Sequence, residues 1–283
     1  MPPRTTPSER QKRLGSELRK MRVAAGMSTE HAAGLLGLDR AKISNIETGI
    51  RTISAERLRT LACNCDCSDA AYVDALVAMA GPNGCGWWER YRGSLSPRLL
   101  DIAELESYAV RMRTAHTAHI PGLLQTSDHA LELFRAVLPS LPEHESALRL
   151  AYRVERQKVL LGEDPPEYVG IVHEAALRMQ FGGRTVARTQ LNHLLTASER
   201  PNLQLLVIPF AAGTFPGAGQ TVNYLEGPVP QLDTVQVDSS HGPEFLGGEA
   251  QLSKYRAHLD WMERIALSPE ASRDFIHDII DKL

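Results

Sequence analysis

The sequence predicts a two-part fold: an α-helical N-terminal helix-turn-helix domain of five helices, then a larger mixed α/β C-terminal domain with a small sheet flanked by helices. Three observations carry this prediction. Between residues 24 and 62 the capping residues Ser28, Asp39 and Ser54 alternate with Gly26, Gly37 and Gly49, the punctuation of short, closely spaced helices. From 168 to 246, short apolar runs separated by Gly and Pro read as strands, with helical periodicity on both sides. At 283 residues, with 43% hydrophobic and 23% charged residues, the chain has ordinary globular composition and length enough for two domains.

The first domain is expected over 9–80, behind a Pro- and Thr-rich arm, 1–8, that reads as a frayed terminus. Leu14, Leu18, Met21 and Ala25 recur at helical spacing, with Arg19, Lys20 and Arg22 on the other faces, and Gly26 stops that helix. Ser28 caps a second helix whose inner face is Ala32, Leu35 and Leu36. Gly37 makes the tight turn, because glycine enters positive φ at little steric cost. Asp39 caps the third helix, which turns Ile43 and Ile46 inward and Arg40, Ala41, Lys42, Ser44 and Asn45 outward. Gly49 ends it. Ser54 caps a fourth helix carrying Leu58, Leu61 and Ala62, and residues 68–80 form a fifth with Tyr72, Val73, Leu76 and Met79 on one side. Small alanines at the crossings let the first three helices pack closely and project the third outward.

A short helix held out in this way presents its start to base edges in a DNA major groove. The pattern Gly37-x5-Ile43-Ser44-x2-Glu47-x-Gly49 resembles the XRE (Cro and phage-repressor-like) helix-turn-helix family over residues 9–75. By position, the resemblance implies that Arg40, Ala41 and Asn45 read bases and that Lys42 and Ser44 flank them. It also implies that Thr29 touches phosphate at the start of the second helix, and that Arg51 lies along the DNA backbone. Arg22 and Glu47 take the positions of an ion pair tying helix one to helix three. The sequence departs from the family at Thr29, where glutamine is common. Arg40 suits the bidentate contact to guanine O6 and N7, and Asn45 suits adenine; each such pair discriminates by about 1–3 kcal/mol. Charge agrees: residues 1–60 hold 12 Lys and Arg against 6 Asp and Glu, whereas the whole chain holds 31 against 34. The basic excess coincides with the motif, so the acidic remainder is expected to sit away from the duplex.

Cys63-x-Cys65-x-Cys67 lacks the two-residue gaps and the second ligand pair of a zinc site, so these cysteines and Cys85 read as free thiols without a metal role. Residues 81–96 form a joint, Pro82-Asn-Gly-Cys-Gly86 followed by the aromatic run Trp87-Trp88-Glu89-Arg90-Tyr91. That run is expected to dock the joint onto the second domain, with a ligand pocket or dimer contact as the other readings. The C-terminal domain, 97–283, begins with helical stretches at 104–118 and 122–138 around Ile120-Pro121, then an amphipathic helix at 143–161. An apolar run at 168–172 precedes a helix holding Ala175, Leu177 and Met179, and another helix spans 185–199. A strand at 203–208, a glycine-rich loop at 213–219 and strands at 221–226, 234–238 and 244–246 follow, with closing helices at 251–267 and 269–283. Helices flanking a small sheet imply an α/β or α+β domain with its own core.

In order along this part run Gly86-Trp-Trp-Glu-Arg-Tyr91, Pro121-Gly-Leu-Leu-Gln-Thr126, Arg153-x2-Arg156-Gln157, Glu174-Ala-Ala-Leu177, Gln190-Leu-x-His193-Leu194, Val207-Ile-Pro-Phe210 and Ala266-Leu-Ser-Pro269. Together they resemble the effector-like domain of unknown function that follows an XRE module in many actinomycete regulators, over residues 86–282. The resemblance implies transcriptional regulation, with a small protein encoded alongside in an antitoxin-like pairing.

An enzyme is not expected. The sequence has no Gly-x-Ser-x-Gly elbow, no His-Glu-x-x-His and no phosphate-binding Gly-x4-Gly-Lys-[Ser/Thr] loop. His116-x2-His119 would point two imidazoles to one helix face without a third ligand. Glu174 interrupts an apolar segment and reads as a helix N-terminal charge favoured by the dipole, and Ser239-Ser240-His241 as a turn. No apolar run reaches membrane-spanning length and no leader opens the chain, so a cytoplasmic location is expected. The expectation is a homodimeric regulator that uses no cofactor and reads a pseudo-palindromic operator in double-stranded DNA through the helix from Asp39 to Glu47. Its C-terminal domain would exert control through a small-molecule effector or a small protein partner. The alternative is an antitoxin-like protein whose main partner is the small neighbouring protein. Trp87, Trp88, Gln125, Glu174 and Phe215 are the candidates for contact with a ligand or partner.

Overall fold

The computed structural model describes residues 6–81, 86–217, 219–239 and 241–283. The chain divides into two compact units, Met1–Leu105 with Pro228–Leu232, and Glu106–Gly227 with Asp233–Leu283. Most of the expected arm and the joint residues 82–85, with Cys85, lie outside the described residues.

The first unit is built on five α-helices: α1 (Glu9–Ala24), α2 (Thr29–Leu36), α3 (Arg40–Glu47), α4 (Ala55–Asn64) and α5 (Ala70–Ala80). Each starts at a side-chain cap, Ser8, Ser28, Asp39, Ser54 or Asp69, that accepts a backbone N–H from the first turn and satisfies one orphan donor. Ser8, expected in the arm, is 2% exposed and forms a capping box with Gln11. Gly26, Gly37 and Gly49 all adopt positive φ, as their positions after helix ends require. Leu18, Ala32, Leu58 and Leu76 sit at the centre of one apolar core, which Val229 and Leu232 of the returning segment join. The Arg10 guanidinium donates to the Met79 carbonyl at 3.0 Å and ties the end of α5 to α1. A 3-10 turn at Trp87–Tyr91 stacks Trp87 edge-on against Trp88 and Tyr91, with ring centroids 6.0 and 6.1 Å apart.

Helix α6 (Pro97–Tyr108) and strand β1 (Arg111–His116) come next. The expected helix over 104–118 is therefore corrected: it ends at Tyr108, and Arg111–His116 is a strand. The cause is Arg113, which is buried and looks like a helix-surface residue, while its partners Asp260 (2.6 Å) and Glu263 (2.7 Å) lie far along the chain. His116 and His119 accordingly do not share a helix face. Then follow α7 (Ser127–Arg135), α8 (Glu143–Arg156), β2 (Glu167–His173), α9 (Glu174–Arg178), α10 (Gly183–Ala197) and β3 (Leu203–Ile208). Strands β4 (Val222–Glu226), β5 (Thr234–Ser239) and β6 (Gly242–Leu246) precede α11 (Glu249–Ile265) and α12 (Pro269–Lys282).

The six strands of the second unit form one mixed sheet in the order β3-β2-β1-β4-β5-β6. Strands β1, β2 and β3 are parallel, and β4 to β6 continue as an antiparallel meander from the other side of β1. Because side chains alternate between faces, each face has its own character. Ala115, Val169, Ile171, Leu206 and Val235 pack on Leu252, Leu259 and Met262 of α11. The opposite face carries Thr114, His116, Asn223, Gln236 and Asp238, a polar row running from β1 across β4 to β5. Helix α12 closes the β3 edge: Leu267 N–H donates to the Val207 carbonyl and Val207 N–H to the hydroxyl of the fully buried Ser272, both at 2.9 Å. Among the described residues no helix is long and apolar enough to cross a membrane.

Candidate nucleic-acid interface

Helix α3 is presented by two neighbours and fixed at both ends. Ile43 and Ile46 are buried, which sets its inner face. Gly15 of α1 lies where a Cβ would come within 2.5 Å of the Ile46 carbonyl and 2.6 Å of the Glu47 carbonyl, so the two helices touch backbone to backbone. The alanine crossings expected from the sequence are thus joined by a closer, glycine-mediated one. At the C-terminal end, the Arg22 guanidinium forks onto Glu47, Nε to Oε1 at 2.5 Å and Nη2 to Oε2 at 2.9 Å, and a third donor reaches the Met27 carbonyl at 2.7 Å. Both partners are about nine-tenths buried. The hydrogen bond with Glu47 raises the already high Arg22 pKa against the opposing effect of burial. At the N-terminal end, Asp39 accepts from the Lys42 N–H at 2.7 Å, and the Lys42 ammonium, together with that backbone bond, holds its carboxyl below the usual range.

With α3 pinned, its outer residues face solvent. Arg40, Ala41 and Ser44 are exposed, and Lys42 and Asn45 are partly so. Arg40 pairs with Glu30 of α2 at 3.0 Å, and Lys42 with Asp39 at 2.8 Å. Exposed pairs of this kind contribute little, so either cation is readily released to a phosphate or base. The Asn45 carbonyl accepts from the Arg51 N–H at 3.0 Å, which leaves the Asn45 side-chain amide for other partners and sets exposed Arg51 directly after the helix. Thr29 is the first residue of α2 and half-buried. Six of the seven residues expected at DNA lie on α2 and α3, Arg51 follows α3, and Arg22 pairs with Glu47 as expected.

The ligand candidates fall in both units. Trp87 and Trp88 belong to the first unit, the other three to the second. Gln125 is buried and donates to the Ile120 carbonyl at 2.7 Å. Glu174 begins α9 and accepts from Phe210 N–H at 2.8 Å and from Arg178 Nε at 2.6 Å. Burial works to raise its pKa, but those two donors outweigh it and hold the carboxyl low. The Phe215 ring lies 5.5 Å from the His173 ring. Sequence reasoning missed a different group in the second unit, His116, His129, Arg153, Arg156 and Asp238. Its signal was present in Arg153-x2-Arg156-Gln157, which served only as a motif. Cys63 is exposed and Cys65 and Cys67 are half-buried free thiols; burial raises the Cys65 pKa. Among the described residues no group of three potential ligands is placed to hold a metal ion.

Comparison with protein families matches residues 13–75 to a helix-turn-helix domain and residues 99–278 to a domain of unknown function, DUF5753. No curated protein and no solved structure matches the chain.

Proposed function

From a chain that belongs to the DUF5753 domain family and carries a helix-turn-helix domain ahead of it, we propose a sequence-specific transcriptional regulator of XRE type that acts as a homodimer. The observation that carries this reading is the solvent-facing set Arg40, Ala41 and Ser44 on a helix whose ends are fixed by the Asp39 cap and the Arg22–Glu47 fork. A rigid rod with an open face offers the major groove side chains tied by nothing stronger than exposed ion pairs. Arg40 and Asn45 are the base readers. Lys42, Arg51 and Thr29 serve the phosphates, which makes affinity fall steeply with salt.

In a dimer the two α3 helices would enter successive major grooves about 34 Å apart, so the operator is a pseudo-palindrome with half-sites one helical turn apart. The second unit exerts control by preferring a ligand in one arrangement of the reading heads over another. The chain has no reaction of its own in this reading: Glu174, the one carboxylate singled out, is already engaged by Arg178 and the Phe210 N–H. Selection of bound duplexes from a random pool tests the proposal. The expected result is enrichment of an inverted repeat with half-site centres about 10 base pairs apart. Recovery of unselected sequence, or of a single half-site with no symmetry, contradicts it.

A further inference from the structure

The sheet of the second unit has a topological switch between β1 and β4: β2 and β3 lie to one side of β1, and the chain then crosses to the other. Open sheets bind ligands outside the carboxyl ends of their strands at such a point. Here the carboxyl end of β1 is His116, and the carboxyl end of β5, two strands away, is Asp238–Ser239. Between them runs a chain of polar contacts: His116 Nε2 to Asn223 Oδ1 at 3.3 Å, Asn223 Nδ2 to Gln236 Oε1 at 2.7 Å, Gln236 Nε2 to Asp238 Oδ1 at 2.6 Å. His116, Gln236 and the neighbouring Thr114 are buried, while Asp238 reaches solvent. These bonds offset the cost of burying the row, which ends at an open rim.

Facing this row, helix α8 supplies two guanidinium groups. Arg156 pairs with the buried Glu106 at 2.7 Å. Arg153 has no such counter-ion. Its Nη1 donates to the neutral Gln125 Oε1 at 2.5 Å, its plane sits 5.2 Å from the Phe134 ring, and among the described residues no carboxylate lies within ion-pair distance of it. Burial and the neighbouring Arg156 push its pKa down to about 10, as expected of a cation short of negative charge. The group is built to stay in place: Gln157 holds the Gly122 and Gln125 carbonyls at 3.1 and 2.7 Å, and a Cβ on Gly122 would meet Arg153 Nη1 at 2.9 Å.

Two histidines complete the site. His129 is 2% exposed and His116 7%. Among the described residues neither ring nitrogen of His129 has a hydrogen-bond partner, and neither does Nδ1 of His116. Phe181 packs its ring 5.4 Å from His129 and 5.5 Å from His119. The Gln125 that holds Arg153 directly precedes Thr126, whose hydroxyl accepts from the His129 N–H at 3.3 Å, and Arg153 acts electrostatically on both buried imidazoles.

We propose that this cluster binds a small metabolite through its carboxylate or phosphate group, the oxyanion forking onto Arg153 while its polar body reaches the free nitrogens of His116 and His129. Neutral imidazole offers one donor and one acceptor, so the body carries hydroxyl, amine or carbonyl groups rather than an apolar chain. The ligand would be the effector of the regulator proposed above; its control of DNA rests on that reading, its binding does not.

The test uses the full chain and two probes, inorganic phosphate and succinate, against sodium chloride of equal ionic strength. One or both probes at about 10 mM raise Tm by roughly 3 °C, and phosphate alone or succinate alone tells the two chemistries apart. Arg153→Met abolishes the rise, and Arg188→Gln, on an exposed stretch of α10, leaves it intact. To separate lost binding from lost fold in Arg153→Met, the His116 and His129 ring resonances of the unaltered protein are followed in the same titrations, and both shift. No rise with either probe, an equal rise in Arg153→Met, or stationary histidine signals overturns the site. Ion binding without any change in operator affinity overturns only the effector role, whereas failure to bind any duplex overturns the reading of α3.

Discussion

At the scale of single residues, the Arg22–Glu47 fork decides whether α3 has a fixed end. Removing one member leaves the other charged and nine-tenths buried, which typically costs about 3–5 kcal/mol. Glu47→Gln is therefore expected to lower the chemical-denaturation midpoint of the helical unit markedly. A midpoint equal to the parent's would show that the pair is dispensable. This pair was legible in the sequence because its two members occupy fixed places in a recognisable motif. Arg113 and Arg153 were not, because what defines each is a distant partner or the want of one: Arg113 meets α11 nearly 150 residues on. His116 was misplaced for the same reason. It ends a strand whose burial comes from elements on both faces, and local spacing cannot show that.

At the scale of elements, the helices α1 to α5 were readable nearly to the residue because caps and turn glycines are local chemistry. Ser28, Asp39 and Ser54 each bond within three residues, and Gly37 takes the positive φ its turn demands. The contact the sequence hid is Gly15 against the carbonyls of α3, since a glycine inside a helix shows its purpose only when the opposing backbone is seen. Gly15→Ala is expected to force α1 and α3 apart, costing about 1–3 kcal/mol and weakening operator binding in anisotropy titrations. Unchanged affinity and stability would mean that the crossing relaxes freely. Ser54→Ala removes one cap from α4 and should cost about 1 kcal/mol, with little effect on the operator sequence preferred. In the second unit the helices from Glu143 onward and the antiparallel meander were legible from Gly and Pro turns. Strand β1 was not, because its two arginines break the apolar pattern.

At the scale of the whole molecule, buried imidazoles couple stability to pH. Burial holds both His116 and His129 down to about 4, whereas an unfolded histidine titrates near 6.5. The unfolded chain therefore binds protons first. Their contribution to stability is constant above about pH 6.5 and falls as pH drops from there toward 4, by about 1.4 kcal/mol per unit for each histidine. Burial raises the Asp238 carboxyl, which takes up its proton early in the folded state and offsets part of that loss. Comparing the parent with His129→Leu isolates the histidine: the variant should show a shallower decline between pH 6.5 and 5, and an identical slope would refute the assignment. The central claim concerns DNA, and the most direct measurement is base preference in duplex binding by the parent and by Arg40→Ala. Arg40→Ala is predicted to lose about 1–3 kcal/mol of discrimination at one guanine position in each half-site while keeping the remaining preferences. A variant that prefers the same sequence as strongly as the parent would contradict the account.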